Sequence, residues 1–143
     1  MKFENYMLLE FPSKSVNEGF ARSAVAAFAS QMDPTIEEIG DIKTAVSEAV
    51  TNCIVHAYPD GIGRITIRCK ILKEDVFDIV IKDHGVGIID LEKARQPMYT
   101  TGGAERSGMG FTIMESFMTT FSVTSIPGKG TTVHMRRKLH SRK

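Results

Sequence analysis

A carboxylate followed by two glycines comes directly after a hydrophobic run of the chain, in Asp83-His84-Gly85-Val86-Gly87. At the end of a strand, Asp83 could accept a hydrogen bond from the amino group of an adenine base. Because Gly85 and Gly87 have no side chains, the backbone beside Asp83 could approach a bound ligand closely. Asp and Gly are also the commonest turn-forming residues, so this motif alone is a weak indication of nucleotide binding.

A second glycine-rich stretch, Arg106-Ser107-Gly108-Met109-Gly110-Phe111, lies where a long loop is predicted to enter a helix. Backbone N–H groups at the start of a helix are natural partners for phosphate oxygens, and Gly108 and Gly110 would expose them. The guanidinium group of Arg106 would add a cation beside them. A glycine-rich helix start with an exposed arginine is the alternative interpretation.

Glu48, Asn52 and His56 follow one another at four-residue spacing in the middle of the chain. On an α-helix this spacing makes all three side chains project from nearly one side. The apolar residues of the same segment explain how a helix would pack there, but they do not require Glu48 or Asn52. Solvated surface positions are the alternative interpretation for these two residues, and an ordinary helix-end histidine is the alternative for His56.

A threonine pair follows the last glycine-rich turn, in Gly130-Thr131-Thr132, at the predicted start of the final strand. The hydroxyl group of Thr131 could help to hold a base. Thr is also a favourable residue in strands, so this motif does not decide between the two roles.

The order of these motifs is more specific than any one of them. A helical Glu-x-x-x-Asn is followed by a strand with D-x-G-x-G, a long loop, a G-x-G that opens a helix, and a Gly-Thr pair. This order resembles the N, G1 and G2 boxes of the gyrase, heat-shock-chaperone and histidine-kinase ATPase superfamily, over about residues 35–138. The resemblance implies that the chain binds ATP and Mg²⁺.

Three longer stretches indicate one family within this superfamily. They are residues 47–52, 94–101 and 105–115. They are similar to the anti-sigma-F factor family of spore-forming bacteria, whose members are serine kinases. This resemblance implies that the chain inhibits a sporulation sigma factor and phosphorylates a serine of the anti-anti-sigma antagonist. It also implies that Arg22 contacts both partners in turn, although the sequence alone favours simple solvation of an exposed arginine on an amphipathic helix. The family forms homodimers, which makes the first predicted strand, residues 6–11, a candidate dimer edge.

The resemblance assigns a role to most of the polar residues named above. Asn52 would bind Mg²⁺ through its amide oxygen, and Asp83 would accept from the N6 amino group of adenine. Glu48 would act as general base for the serine hydroxyl, and Arg106 would neutralise charge on the γ-phosphoryl group. Residues 96–107 would form a lid over ATP. The other implied nucleotide contacts are Gly85, Gly87, Thr100, Thr101, Ser107, Gly108, Met109, Gly110 and Thr131.

Other interpretations of the same motifs stay open. A two-component histidine kinase would need a helical dimerisation segment with a phospho-acceptor histidine, for which this chain has no room. A general-stress anti-sigma kinase would use the same chemistry with another sigma partner. A protein that binds ATP only as a structural ligand would not need the carboxylate of Glu48.

The chain is predicted to fold as an α+β two-layer sandwich, with a mixed, mainly antiparallel sheet and helices on one face. The strands arrive in hairpins rather than alternating with helices, which argues against a doubly wound fold. The predicted strands cover residues 6–11, 64–72, 76–82, 121–126 and 131–138. The predicted helices cover about residues 15–32, 35–58, 91–95 and 108–118.

The two long helices carry start signals. Ser13 or Ser15 would cap the first helix. The second would begin at Thr35, which has capping-box spacing to Glu38, or at Asp33. The first helix would bury an apolar stripe made of Val16, Phe20, Ala24, Ala27 and Phe28.

The composition fits one globular domain, because 143 residues suffice for one core but not comfortably for two. Eighteen Lys and Arg against 17 Asp and Glu leave a net charge of +1, which gives no reason to expect nucleic acid or a membrane as the main partner. Cys53 and Cys69 lie far apart and are expected to be reduced thiols of a cytoplasmic protein. Neither a signal peptide nor a membrane-spanning segment is predicted.

Overall fold

The computed structural model describes residues 3–88 and 110–140. Five strands lie in these ranges: β1 Phe3–Pro12, β2 Arg64–Leu72, β3 Val76–Asp83, β4 Thr120–Ile126 and β5 Gly130–Lys138. The α-helices in these ranges are α1 Asn17–Ala29, α2 Ile36–Asn52 and α3 Gly110–Phe117. The predicted helix over residues 91–95 and the predicted lid over residues 96–107 lie outside the described ranges.

The strands form one sheet in the order β1-β2-β3-β5-β4. All four pairings between these strands are antiparallel. Along β2 the buried side chains alternate, and they join helix residues in one hydrophobic core. The predicted α+β sandwich is confirmed, but the described sheet is antiparallel in every pairing rather than mixed. The strand ends differ from the prediction by a few residues.

Helix α2 contacts both α1 and α3. Its start is fixed by a capping box, in which Thr35 Oγ1 accepts from the Glu38 N–H at 3.1 Å and Glu38 Oε1 accepts from the Thr35 N–H at 2.8 Å. The predicted start at Thr35 is therefore confirmed. The alternative start at Asp33 is wrong, because Asp33 adopts a left-handed conformation with φ of 52°. Within the part of the chain that the structure describes, no helix is long and apolar enough to cross a membrane.

Both predictions for the first helix need correction. Helix α1 has Val16 at its N-cap, with no hydrogen bond from a capping side chain. Ser13 cannot cap it, because this residue is buried and its hydroxyl accepts from the Gly63 N–H at 3.0 Å. Of the predicted stripe, Phe28 packs against the core, whereas Val16 and Phe20 stay 78% and 55% exposed. The fully buried residues of α1 are Ala21, Val25 and Ala29, whose small side chains let the helix lie close to α2.

The second helix also ends differently from the prediction. Its regular α-helical part stops at Asn52 and continues as a π-helical turn, Cys53–Ala57. The carbonyl oxygen of Ala57 then accepts from the Val86 N–H at 2.9 Å. The π turn therefore ties the end of α2 to the segment that follows β3, and such turns are frequent at functional sites.

Candidate active site

Helix α3 begins against the side of α2 that carries Glu48 and Asn52. A Cβ atom at Gly110 would lie 2.9 Å from Asn52 Nδ2 and 3.4 Å from Glu48 Oε2. Gly110 is the first residue of α3 that the structure describes. The structure thus brings together three predicted site residues from two elements, while His56 lies in the π turn and departs from the regular spacing.

Among the described residues, no three His, Cys, Asp or Glu side chains cluster closely enough to hold a metal ion. The amide oxygen of Asn52 fits Mg²⁺, which binds oxygen ligands and readily accepts phosphate and water oxygens as its others. Binding of Mg²⁺ by Asn52 stays a prediction.

Asp83 ends β3 as a buried residue that is 4% exposed. Its Oδ1 atom accepts from the Gly85 N–H at 3.0 Å and from the Thr131 N–H at 3.2 Å. Both backbone bonds go to Oδ1, and the Cys53 thiol also hydrogen-bonds to this carboxylate. An ionised carboxylate has about four acceptor positions, so Asp83 can still accept from a further donor. Burial, and then the negative charge of Asp83, raise the pKa of the nearby Cys53 thiol well above its ordinary value, so Cys53 stays protonated.

Gly85 and Gly87 are required by the close packing that follows Asp83. A Cβ atom at Gly85 would lie 2.0 Å from the carbonyl oxygen of Ala57. Gly87 has a φ of 76°, and a Cβ atom there would lie 2.5 Å from the carbonyl oxygen of Ile126. Packing against neighbouring backbone thus explains both glycines, and contact of this segment with a ligand stays a prediction.

Tyr58 also organises the segment around Asp83, and the sequence motifs did not include it. Its hydroxyl donates to the Arg64 carbonyl oxygen at 2.6 Å and accepts from the His84 N–H at 2.7 Å. The side chain therefore links the chain beyond the π turn to the start of β2 and to the residue after Asp83. In the sequence Tyr58 had only marked the end of a predicted helix, because no local pattern indicates a bond across 26 residues.

Ser125 on β4 is a second residue that the motifs missed. Its Oγ atom accepts from the Ile88 N–H at 2.7 Å and lies 2.8 Å from Thr131 Oγ1. It also lies 3.2 Å from the Gly130 carbonyl oxygen, to which it can donate. Ser125 thus connects β4 with the first two residues of β5 and with the segment that follows Gly87.

A surface groove of about 300 Å³ lies between α1 and α2 beside Glu48. Arg22 reaches this groove from α1, and its Nε atom lies 3.7 Å from Glu18 Oε2. The same Glu18 oxygen accepts from Ser47 Oγ at 2.7 Å, which anchors the pair to α2. The predicted partner-contacting residue and the predicted general base therefore border one groove, whose other lining residues are Gly40, Lys43, Thr44 and Ser47.

Six predicted site residues lie outside the ranges that the structure describes. They are Thr100, Thr101, Arg106, Ser107, Gly108 and Met109. The described part of the site consists of Glu48, Asn52, Asp83, Gly85, Gly87, Gly110 and Thr131. It forms two centres, one around Gly110 and one around Asp83, joined by α2 and its π turn.

Comparison with known proteins bears on what this site does. The family model of the histidine kinase-like ATPase domain matches residues 11–137. The chain is 60% identical over 138 residues to an anti-sigma F factor of Caldanaerobacter subterraneus subsp. tengcongensis, covering 96% of each chain. It is 57% identical over 144 residues to an anti-sigma F factor of a Thermoanaerobacter species, covering 100% of each.

Among solved structures, the crystal structure of the RsbU and RsbW domains of a Mycobacterium tuberculosis protein superposes with a TM-score of 0.69 at 15% identity. The match covers 94% of this chain and 32% of the mycobacterial one. At this identity the likeness concerns the fold alone, and it agrees with the two-layer sandwich described above.

Proposed function

Since the chain belongs to the anti-sigma F factor family of histidine kinase-like ATPases, we propose that it captures a sporulation sigma factor and phosphorylates a serine of the anti-anti-sigma antagonist. The phosphoryl donor is Mg-ATP. We further propose that residues 1–143 act as one domain in the cytoplasm. The observation that carries the catalytic part is the convergence of Glu48 and Asn52 on Gly110.

The fixed carboxylate of Asp83 supports recognition of adenine. With both backbone hydrogen bonds on Oδ1, the Oδ2 atom accepts from the N6 amino group of the base. Guanine carries a carbonyl oxygen at that position, so two acceptors would face each other in a buried site. Burying such an unpaired polar group costs roughly 2–7 kcal/mol, which is ample for selection of ATP over GTP.

Glu48 and Asn52 have different roles at the γ-phosphate. Asn52 would hold Mg²⁺ through its amide oxygen, and the ion would neutralise charge on the phosphates. Glu48 accepts the proton of the attacking serine hydroxyl, an effect worth about 10²–10⁴-fold in rate. The serine oxygen forms the new bond to phosphorus while the bond to the bridging oxygen breaks and ADP leaves.

The residues of the proposed lid complete the nucleotide site. Arg106 stabilises the charge that spreads over the transferring phosphoryl group. Thr100, Thr101 and the segment 107–109 supply further phosphate contacts. These roles rest on the family resemblance.

The groove between α1 and α2 supports the proposal for partner binding. Arg22 stands at its rim, held by the Glu18–Ser47 contact and within reach of a protein that presents its serine to Glu48. Strand β1 forms an edge of the sheet. An edge strand offers unpaired backbone groups, which makes it suitable for pairing in a homodimer.

Incubation with Mg-ATP and the candidate antagonist, followed by phosphoamino-acid analysis, tests the proposal. We expect acid-stable phosphoserine on the antagonist and none when ATP is replaced by GTP. Acid-labile phosphohistidine on either protein would overturn the assignment in favour of a histidine kinase. Retention of one sigma factor from a panel, measured by pull-down in parallel, identifies the sigma partner.

A further inference from the structure

The hydroxyl groups of Ser125 and Thr131 form a pair beside Asp83. The two residues are opposite each other in the β4–β5 pairing, and their oxygens are 2.8 Å apart. The Thr131 N–H in turn donates to Asp83 Oδ1. Thr131 therefore contacts Ser125 through its hydroxyl and Asp83, the proposed partner of the base, through its N–H. The direction of the hydrogen bond between the two hydroxyls is thus set directly beside the proposed base contact.

The available hydrogens limit how this pair can be arranged. Ser125 accepts from the Ile88 N–H at 2.7 Å, and its single hydrogen can go either to Thr131 Oγ1 at 2.8 Å or to the Gly130 carbonyl oxygen at 3.2 Å. The shorter contact is the better O–H···O bond. When Ser125 donates to Thr131, the Thr131 hydrogen is released to point away from Ser125.

A threonine that donates complements a carboxylate that only accepts. Adenine presents a donor at N6 and an acceptor at N1, whereas guanine presents an acceptor at O6 and a donor at N1. Asp83 matches the first adenine group, and a donating Thr131 matches the second, directly or through one bound water.

We propose that Ser125 is a positioning residue that selects adenine by fixing the direction of the Thr131 hydroxyl. This inference rests on the proposed function, because it assumes that Asp83 holds the base of ATP. It adds a determinant of base specificity that does not contact the nucleotide and that no sequence motif indicates.

Analogues that lack one group of the base separate this role from a general loss of structure. We would titrate the full chain, with Mg²⁺, with ATP, with 1-deaza-ATP, which lacks the N1 acceptor, and with purine riboside triphosphate, which lacks the N6 amino group. In the wild-type protein we expect 1-deaza-ATP to bind about two- to tenfold more weakly than ATP.

In Ser125→Ala this preference should shrink to less than about twofold, while the preference for ATP over purine riboside triphosphate stays unchanged, because Asp83 keeps both of its backbone bonds. Ser125→Thr, which retains the hydroxyl, should restore the wild-type preference. Ser122→Ala removes an exposed serine of the same strand and should behave as wild type.

Two results for Ser125→Ala would overturn the inference: an unchanged preference for ATP over 1-deaza-ATP, or an equal loss of both preferences. If Ser125→Ala does not fold, Ser125→Cys replaces the hydroxyl with a weak donor of similar shape and should show the same shrinkage. If the wild-type protein binds ATP and 1-deaza-ATP with equal affinity, this inference alone is wrong. If the wild-type protein binds no ATP, the proposed function is wrong as well.

Discussion

Replacing Asp83 with Asn changes the proposed base contact while leaving its surroundings almost intact. The amide oxygen of Asn can keep both hydrogen bonds, from the Gly85 N–H at 3.0 Å and the Thr131 N–H at 3.2 Å. The amide nitrogen then takes the place of Oδ2. An acceptor that faced the N6 amino group of adenine thus becomes a donor.

The size of the effect follows from this exchange. A hydrogen bond to a charged group is worth about 1.5–3 kcal/mol, and a donor left facing another donor in a site that is 4% exposed adds to the loss. Since 1.4 kcal/mol corresponds to a factor of ten, we expect the affinity for ATP to fall by about 10- to 100-fold or more. The affinity for ITP, whose O6 atom accepts, should rise relative to that for ATP.

Isothermal titration calorimetry with ATP and ITP at fixed Mg²⁺ measures both changes. The matched control is Asp78→Asn, since Asp78 is the other buried Asp of β3 and its Oδ1 lies 2.6 Å from His134 Nε2 and 2.7 Å from Arg136 Nε. That variant should unfold more easily yet bind ATP within about twofold of wild type. An Asp83→Asn protein with wild-type ATP affinity would refute the assignment of Asp83 to the base.

Three other variants probe separate parts of the molecule. Gly110→Ala places a methyl group 2.9 Å from the Asn52 amide, so Mg-dependent ATP affinity should fall about tenfold or more in the same titration, and an unchanged affinity contradicts the convergence argument. Arg22→Ala should weaken sigma retention in a pull-down about fivefold or more with ATP affinity intact, and full retention speaks against the groove. Burial raises the pKa of Glu38, but hydrogen bonds from Thr35 and His140 outweigh it and lower the pKa from 4.5 to about 2. Ionised Glu38 therefore stabilises the fold above about pH 4.5 by about 3 kcal/mol, lost as pH falls toward 2. Urea unfolding should show the gap between wild type and Glu38→Gln narrowing from pH 6 to pH 3, and a constant gap contradicts this.

Most elements of the fold could be predicted because their signals are local. The capping box of Thr35 and Glu38 lies within four consecutive residues. Along β2, apolar residues alternate with polar ones, which directly indicates a strand with one buried face. The strand order could not be predicted in the same way. Placing β5 between β3 and β4 depends on pairings such as Ile81 with Val133, which join distant parts of the sequence.

The wrong stripe on α1 has a similar cause. Hydrophobicity favours burial of Val16 and Phe20, yet the helix packs through Ala21 and Ala29, because small side chains allow close contact with α2. Which side of a helix faces its neighbour is decided by the fit of both surfaces, and one sequence segment contains only half of that information.

The candidate site was partly visible in the sequence for a related reason. Glu48 and Asn52 share a helix face by spacing alone, and Gly110 could be placed in the first turn of a helix predicted from residue 108. That Gly110 lies so close to both side chains that a Cβ atom there would touch them depends on how α3 docks on α2. Ser125 and Tyr58 were missed because each acts through a single hydroxyl group that bridges segments far apart in the chain.

In the proposed function, the junction of α2 and α3 transfers a phosphoryl group with Glu48 as general base. The most direct test compares Glu48→Gln with wild type in two assays, ATP binding by calorimetry and single-turnover transfer from Mg-ATP to the antagonist. We predict ATP affinity within about threefold of wild type and a transfer rate lower by about 10²–10⁴-fold. A Glu48→Gln protein that phosphorylates the antagonist at the wild-type rate would contradict the claim.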